Sequence, residues 1–276
     1  MAPIVLQWLS CWPGAAARSA MDVVRRRGPS EEARTPPEHP LAVRHSRWRQ
    51  RLDKRLHRPV IARKHLLAEP AWQRRFEARG LEHLSGGLEE RAVIAVTLHY
   101  GAVSLLRGYL ASRGVSAAVV VNDRLSDTRR RPDWLAAGEP RRMLEYLMPG
   151  RCLVVAADFQ RGRTLTVSLP VTGPATAAVT LASGPFRLAR LSGALIVPVI
   201  IAERSRWRYR VDVCEPVPDA LLASGDEAAA RHVLAQLWPL ILRDPGQARD
   251  RLVEAVRVTA VPQHGAPAGA GAAAAP

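Results

Sequence analysis

Residues 91–101, Arg-Ala-Val-Ile-Ala-Val-Thr-Leu-His-Tyr-Gly, decide how the rest of this chain is read. Ala92–Leu98 is a run of small and β-branched residues without polar alternation, the pattern of a strand buried on both faces. The run stops at His99-Tyr100-Gly101, and a helical stretch begins near residue 102. Three further runs share its character: Ala117–Val121, Cys152–Ala157 and Leu195–Ile201. Helix-like segments near 102–113, 139–148 and 176–192 fall between them. Buried strands alternating with helices predict an α/β fold with a mostly parallel central sheet flanked by helices. Arg208–Val213 alternates polar and apolar residues as an edge strand does, and 226–258 reads as helical with a break at Asp244-Pro245-Gly246.

Outward from that domain the composition changes. The chain has 276 residues, 40 Lys+Arg against 25 Asp+Glu, and a net charge of +15. Residues 1–79 hold 17 basic and 7 acidic side chains, so +10 of that excess lies in less than a third of the length. Four parts follow: an apolar segment and Pro-rich loop over 1–40, a basic helical arm over 41–79, the α/β domain over 80–262, and an Ala/Gly/Pro tail over 263–276 that is expected to be disordered. Met1–Ala17 is uncharged, but Gln7, Ser10 and Pro13-Gly14 interrupt it. A membrane span needs about 20 apolar residues, and a secretory signal starts with basic ones. Trp8 and Trp12 suit either an interfacial anchor or packing on the body. In the arm, Trp48, Leu52, Leu56 and Val60 recur at four-residue steps with arginines between them. Such a face is either solvated or in contact with anionic lipid head groups or acidic protein. At 47% hydrophobic the chain is too apolar to be wholly disordered. Three cysteines without a CxxC pair exclude a disulfide scaffold and a zinc ribbon, and point to a reducing compartment.

His99 is the residue with the most chemistry to offer. It stands at the carboxyl end of an expected strand, where open α/β sheets gather ligands, and a neutral imidazole there can take a proton from a hydroxyl. The ordinary alternative is a structural hydrogen bond. Asp158 ends another expected strand and is followed by Gln160, Arg161 and Arg163, which place a carboxylate and two phosphate-matching cations together or form a solvated turn. Arg187 and Arg190 lie on the segment before Leu195, one of them a candidate for the same site. Nothing matches a phosphate loop, a dinucleotide fingerprint or the GxSxG elbow of serine hydrolases. Cys152 and Cys214 read as small core residues.

Several pieces recur together in a known order: Gly80–Leu84 (GLEHL), His99-Tyr100-Gly101, Gly150–Gln160 (GRCLVVAADFQ), Leu169–Gly173 (LPVTG), Gly184–Pro198 (GPFRLARLSGALIVP) and Leu242–Gln247 (LRDPGQ). In that order, over about residues 45–250, the chain resembles the lipid A late acyltransferase family of the lysophospholipid acyltransferase superfamily. The resemblance implies a histidine that deprotonates an acceptor hydroxyl, which attacks a fatty acyl thioester. It implies acyl carrier protein or coenzyme A as the thioester carrier, no metal and no resident cofactor. It also implies a peripheral position on the cytoplasmic side of the inner membrane. On this resemblance His99, Asp158 and Ser104 are the catalytic candidates. Tyr100, Gly101, Gln160, Arg161, Arg163, Gly173 and Arg187 are the candidate substrate contacts.

The family signature is His, four residues, then Asp or Glu, and here Ser104 stands in the acidic position. Serine can fix an imidazole tautomer but cannot balance an imidazolium charge. Either another carboxylate, with Asp158 the candidate, approaches His99 in space, or the chain is a slow, altered or inactive lipid-binding or accessory relative. The charge concentrated ahead of the domain favours an anionic membrane face or an acidic carrier as partner. No nucleic-acid module is present, and no nucleic-acid partner is expected.

Overall fold

The parallel pairing of β-branched runs at the centre of the sequence organises the molecule. The structure, a computed structural model, describes His57, Val60 and residues 64–122, 133–171, 176–205 and 207–259. The apolar segment 1–40, the rest of the arm before residue 64, Gly173 and the tail 263–276 lie outside the described residues.

Ten strands are described: β1 (Phe76–Arg79), β2 (Val93–Thr97), β3 (Ser116–Val121), β4 (Trp134–Ala136), β5 (Arg151–Ala156), β6 (Thr164–Pro170), β7 (Thr176–Ala182), β8 (Leu195–Ser205), β9 (Arg208–Val213) and β10 (Val256–Thr259). The α-helices are α1 (Pro70–Gln73), α2 (Leu81–Glu90), α3 (Val103–Ser112), α4 (Pro140–Tyr146), α5 (Gly184–Ser192), α6 (Asp219–Ser224), α7 (Asp226–Leu242) and α8 (Asp250–Ala255).

Seven strands form the main sheet in the order β1-β9-β8-β2-β5-β3-β4. Every neighbouring pair is parallel except β8–β9, a hairpin. β2 lies in the middle, and all five of its residues are buried. Successive side chains of a strand point to opposite faces. Ile94, Val96 and Leu98 share one core with Phe186 of α5 and Val233 and Leu237 of α7, while Val93 turns to the other face and packs beside Gly87 of α2. A small antiparallel sheet, β10-β7-β6, adds Val167, Leu169, Val179 and Leu181 to the same core. Helix α7 packs against both β6 and β8, and the Trp238 indole N–H donates to the Pro170 carbonyl at 3.2 Å.

Four local expectations change. The end of 226–258, read as helical, is strand β10 from Val256 on, because it pairs antiparallel with β7. Phe76–Arg79, read as the end of a helical arm, is an edge strand. Its alternate residues Phe76 and Ala78 turn inward, and the Phe76 ring stacks between Tyr109 and Tyr209 at 4.7 and 5.0 Å. The alanine-rich 176–182, read as helix, is β7, because Ala177, Val179 and Leu181 alternate into the core while its two edges pair with β6 and β10. Arg208–Val213 is not an edge strand: β1 flanks it on one side and β8 on the other. Its inner polar positions, Arg210 and Asp212, are buried and pair with each other at 2.7 Å.

Phe186 is fully buried at the meeting of α5, the main sheet and α7, whereas Leu191, one turn further along α5, is 64% exposed. Phe186→Ala is expected to lower the unfolding free energy by about 3–5 kcal/mol. Leu191→Ala should stay within about 0.5 kcal/mol of the parent. Equal urea midpoints for the two variants would contradict this packing.

Candidate active site

Strand register brings the two central groups together. Thr97 of β2 pairs with Ala156 of β5, and the Ala157 N–H continues the ladder by donating to the Thr97 carbonyl at 2.9 Å. Two residues past that pair on each strand lie His99 and Asp158. The His99 backbone N–H donates to Asp158 Oδ2 at 2.9 Å, and its ring Nδ1 lies 2.9 Å from Oδ1. A carboxylate only accepts, so this contact requires Nδ1 to carry the proton and leaves Nε2 of the neutral ring as the acceptor. The Asp158 side chain is fully buried while the His99 ring is 30% exposed. No hydrogen bond engages Nε2 among the described residues.

The loop after His99 is held from below by the segment following α7. The Arg249 N–H donates to the His99 carbonyl at 2.9 Å, and the Gly101 N–H donates to the Gln247 carbonyl at 2.9 Å. The buried Arg249 guanidinium grips the Gly101 carbonyl through Nε at 2.8 Å and again through Nη2. Gln247 in turn is tied through its side-chain amide to both backbone groups of Glu203, at 2.7 and 2.9 Å. Position 101 requires glycine: its φ is +51°, and a Cβ there would lie 2.1 Å from the Ile201 carbonyl oxygen. The Tyr100 hydroxyl donates to the Asp244 carbonyl at 2.9 Å, and its ring is 1% exposed. Tyr100 and Gly101, the expected substrate contacts, are buried and bonded to the segment that supports the loop.

Ser104 lies in the first turn of α3, exposed, and its described partner is another histidine. His57 Nδ1 is 3.2 Å from Ser104 Oγ, and His57 Nε2 is 3.2 Å from the Tyr209 hydroxyl. Burial, with a smaller contribution from the Arg249 charge, pushes the His57 pKa down to about 4. The carboxylate at His99 Nδ1 thus comes from Asp158, and Ser104 belongs to a separate cluster. Gln160, Arg161, Arg163 and Arg187 are all exposed, and among the described residues none is hydrogen-bonded to His99 or Asp158. Arg190 pairs with Asp226. Beside the site, the Arg251 guanidinium lies 5.6 Å from the centre of the Phe159 ring.

Burial pushes the Cys152 thiol up to about 12 and the Cys214 thiol up to about 11, so neither supplies a thiolate near neutral pH. Among the described residues no group of three His, Cys, Asp or Glu could hold a metal ion, and no helix is long and apolar enough to cross a membrane. No protein-family model matches the chain, and no curated protein sequence matches it.

Gln247, Arg249, His57 and Tyr209 have no place in the sequence-derived site. Gln247 ended a recognised segment, LRDPGQ, which was a usable signal; Arg249, two residues on, had none. His57 sits among the arginines of the basic arm, and only the fold brings Tyr209 to it.

The His57 environment has a measurable consequence. Unfolded, the imidazole titrates near 6.5; folded, near 4, so between these values the unfolded chain binds the extra proton. Stability from this group is complete above pH 6.5 and is lost as pH falls toward 4. At ~1.4 kcal/mol per pH unit, the wild type should lose roughly 2–3 kcal/mol more than His57→Gln between pH 7 and pH 4.5. Urea unfolding of both proteins at the two pH values checks this, and a difference independent of pH would contradict it.

Proposed function

We propose that the chain is an O-acyltransferase that moves a fatty acyl group from an acyl thioester, carried by acyl carrier protein or coenzyme A, to a hydroxyl of a lipid or lipid-like acceptor. The observation that carries this proposal is the His99–Asp158 pair at the carboxyl end of two central parallel strands. A general base needs an unprotonated nitrogen with access to substrate, and an orienting group behind it. His99 Nε2 is the base. It takes the acceptor's hydroxyl proton as the acceptor oxygen bonds to the acyl carbon; the carbon–sulfur bond breaks, and the thiolate leaves and is protonated. Asp158 holds the tautomer and balances the charge that His99 acquires.

The second possibility in the sequence, a non-catalytic lipid-binding relative, drew on the missing acid at position 104. Its force is reduced by a buried carboxylate on the same imidazole. The net +10 of residues 1–79 supports docking on an anionic membrane surface or an acidic carrier protein, as a peripheral protein of the cytoplasmic face of the inner membrane. Exposed Arg161, Arg163 and Arg187 are the arginines proposed to meet phosphate on the donor or acceptor, and Gln160, exposed next to Arg161 in the chain, is a further proposed contact.

The test is acyl transfer from carrier-protein-linked and coenzyme A-linked chains to candidate hydroxyl acceptors. His99→Ala should reduce transfer on the order of 10²–10⁴-fold, the usual span of a lost general base, and Asp158→Asn should fall in the same range. Ser104→Asp should give no gain, because the Nδ1 position on His99 is already filled. Transfer undiminished by His99→Ala, or no transfer from any donor, would sink the proposal.

A further inference from the structure

Strand β8 does not stop where its neighbour β2 stops. Val96 pairs with Pro198, and the Ala102 N–H donates to the Ile201 carbonyl at 3.1 Å, so the loop after His99 lies level with residue 201. From there β8 continues to Ser205, and the hairpin returns as β9 from Arg208. At ~3.3 Å per residue the tip stands roughly 13 Å beyond that loop, at the end of the sheet where His99 and Asp158 meet.

The tip is held in a conformation that its own residue does not favour. Among the described residues Trp207 alone, apart from glycines, has a positive φ, +65°, a strained choice for a bulky side chain. Its carbonyl accepts from Arg75 Nη1 at 3.4 Å, and its ring meets the Trp72 ring edge-on at 6.2 Å. The Arg75 guanidinium lies 5.3 Å from the centre of the Trp72 ring, and the Tyr209 N–H donates to the Arg75 carbonyl at 2.7 Å. Glycine at 207 would relieve the backbone; these contacts instead brace a half-buried indole at the tip. Beside it Arg74, Arg204 and Arg208 are exposed, and none of them forms an ion pair among the described residues. Glu77, whose charge Arg204 also meets, is held by Arg79 at 2.7 Å, and Asp212 is paired with Arg210. The tip is therefore cationic as well as aromatic.

We infer that this tip is a docking surface for an anionic phospholipid bilayer, with Trp207 at the headgroup boundary and Arg74, Arg204 and Arg208 on the lipid phosphates. An indole has an apolar body and one polar N–H, which suits it to a membrane interface, and a guanidinium matches phosphate. The shape favours a bilayer over an acidic protein. A stable protein partner needs about 800 Å² from each side, whereas a projecting hairpin tip needs only to enter the interface to a shallow depth. The inference deepens the reading of the chain as a lipid acyltransferase and rests on it for its purpose. Docked by this tip, the protein has the membrane at the same end of the sheet as His99, so an acceptor anchored in the bilayer need not leave it to present its hydroxyl.

Co-sedimentation of the full chain with vesicles of equimolar phosphatidylglycerol and phosphatidylcholine tests it. The double variant Arg204→Glu/Arg208→Glu should bind at least about tenfold more weakly than the wild type. Trp207→Gly, which suits the left-handed backbone, should also bind more weakly while thermal melting shows the fold intact. An environment-sensitive fluorophore on Ser205→Cys, in a Cys11→Ser/Cys214→Ala background, should shift its emission to the blue on these vesicles. The same probe on exposed Ala220→Cys, beyond the far end of β9, should not. Wild-type binding by both tip variants, or equal emission shifts at 205 and 220, overturns the proposal. Weakened binding of acyl carrier protein but not of vesicles in Arg204→Glu/Arg208→Glu assigns the tip to an acidic protein and overturns it too. These readouts need no acyl transfer, so failed docking leaves the His99 proposal standing, and absent transfer leaves the docking result standing.

Discussion

A buried carboxylate whose two oxygens are both used by one residue is the constraint on which the rest of the site depends. Asp158 cannot reach water, so its charge must be met by donors, and both come from His99: the backbone N–H and the ring Nδ1–H. That double contact fixes the position of the loop and the orientation of the ring at once. It exists because β2 and β5 are parallel neighbours in a register that pairs Thr97 with Ala156. A slip of one residue would turn one of the two side chains to the opposite face.

The loop is over-determined from its other side as well. Arg249, Gln247 and Asp244 lie about 145 residues beyond it in sequence, yet with Ile201 they hydrogen-bond the His99 and Gly101 carbonyls, the Gly101 and Ala102 N–H groups and the Tyr100 hydroxyl. Arg249 brings a cation beneath the loop, and the same charge helps keep His57 neutral. The two histidines near this turn thus stand in opposite surroundings. His99 is partly exposed beside a carboxylate; His57 is buried between two hydroxyl groups and disfavoured as a cation.

Much of this was legible in the sequence where local pattern and fold agree. The apolar runs at 92–98, 117–121, 152–157 and 195–201 carry their strand character in their own residues, and each begins or ends within a few positions of β2, β3, β5 and β8. His99 and Asp158 were visible as polar residues terminating two such runs. Non-local facts were not legible. Phe76–Arg79 becomes a strand because of rings supplied by Tyr109 and Tyr209, and 176–182 because of partners in β6 and β10. The resemblance put Ser104 in the position of the acid that partners His99, but the hydroxyl turns to a histidine 47 residues earlier, a contact no pattern along the chain encodes. The grip of Arg249 on Gly101 is of the same kind: it spans 148 residues and depends on a glycine with left-handed backbone.

The most direct test of the account is the protonation pattern of the His99 ring, read from long-range proton–nitrogen correlation in ¹⁵N-labelled protein and assigned by comparison with His99→Gln. The account predicts the neutral ring with its proton on Nδ1, bonded to Asp158, and Nε2 bare. A neutral ring carrying its proton on Nε2 would contradict it, since Nδ1 could then donate nothing to the carboxylate and the nitrogen left for substrate could not act as a base.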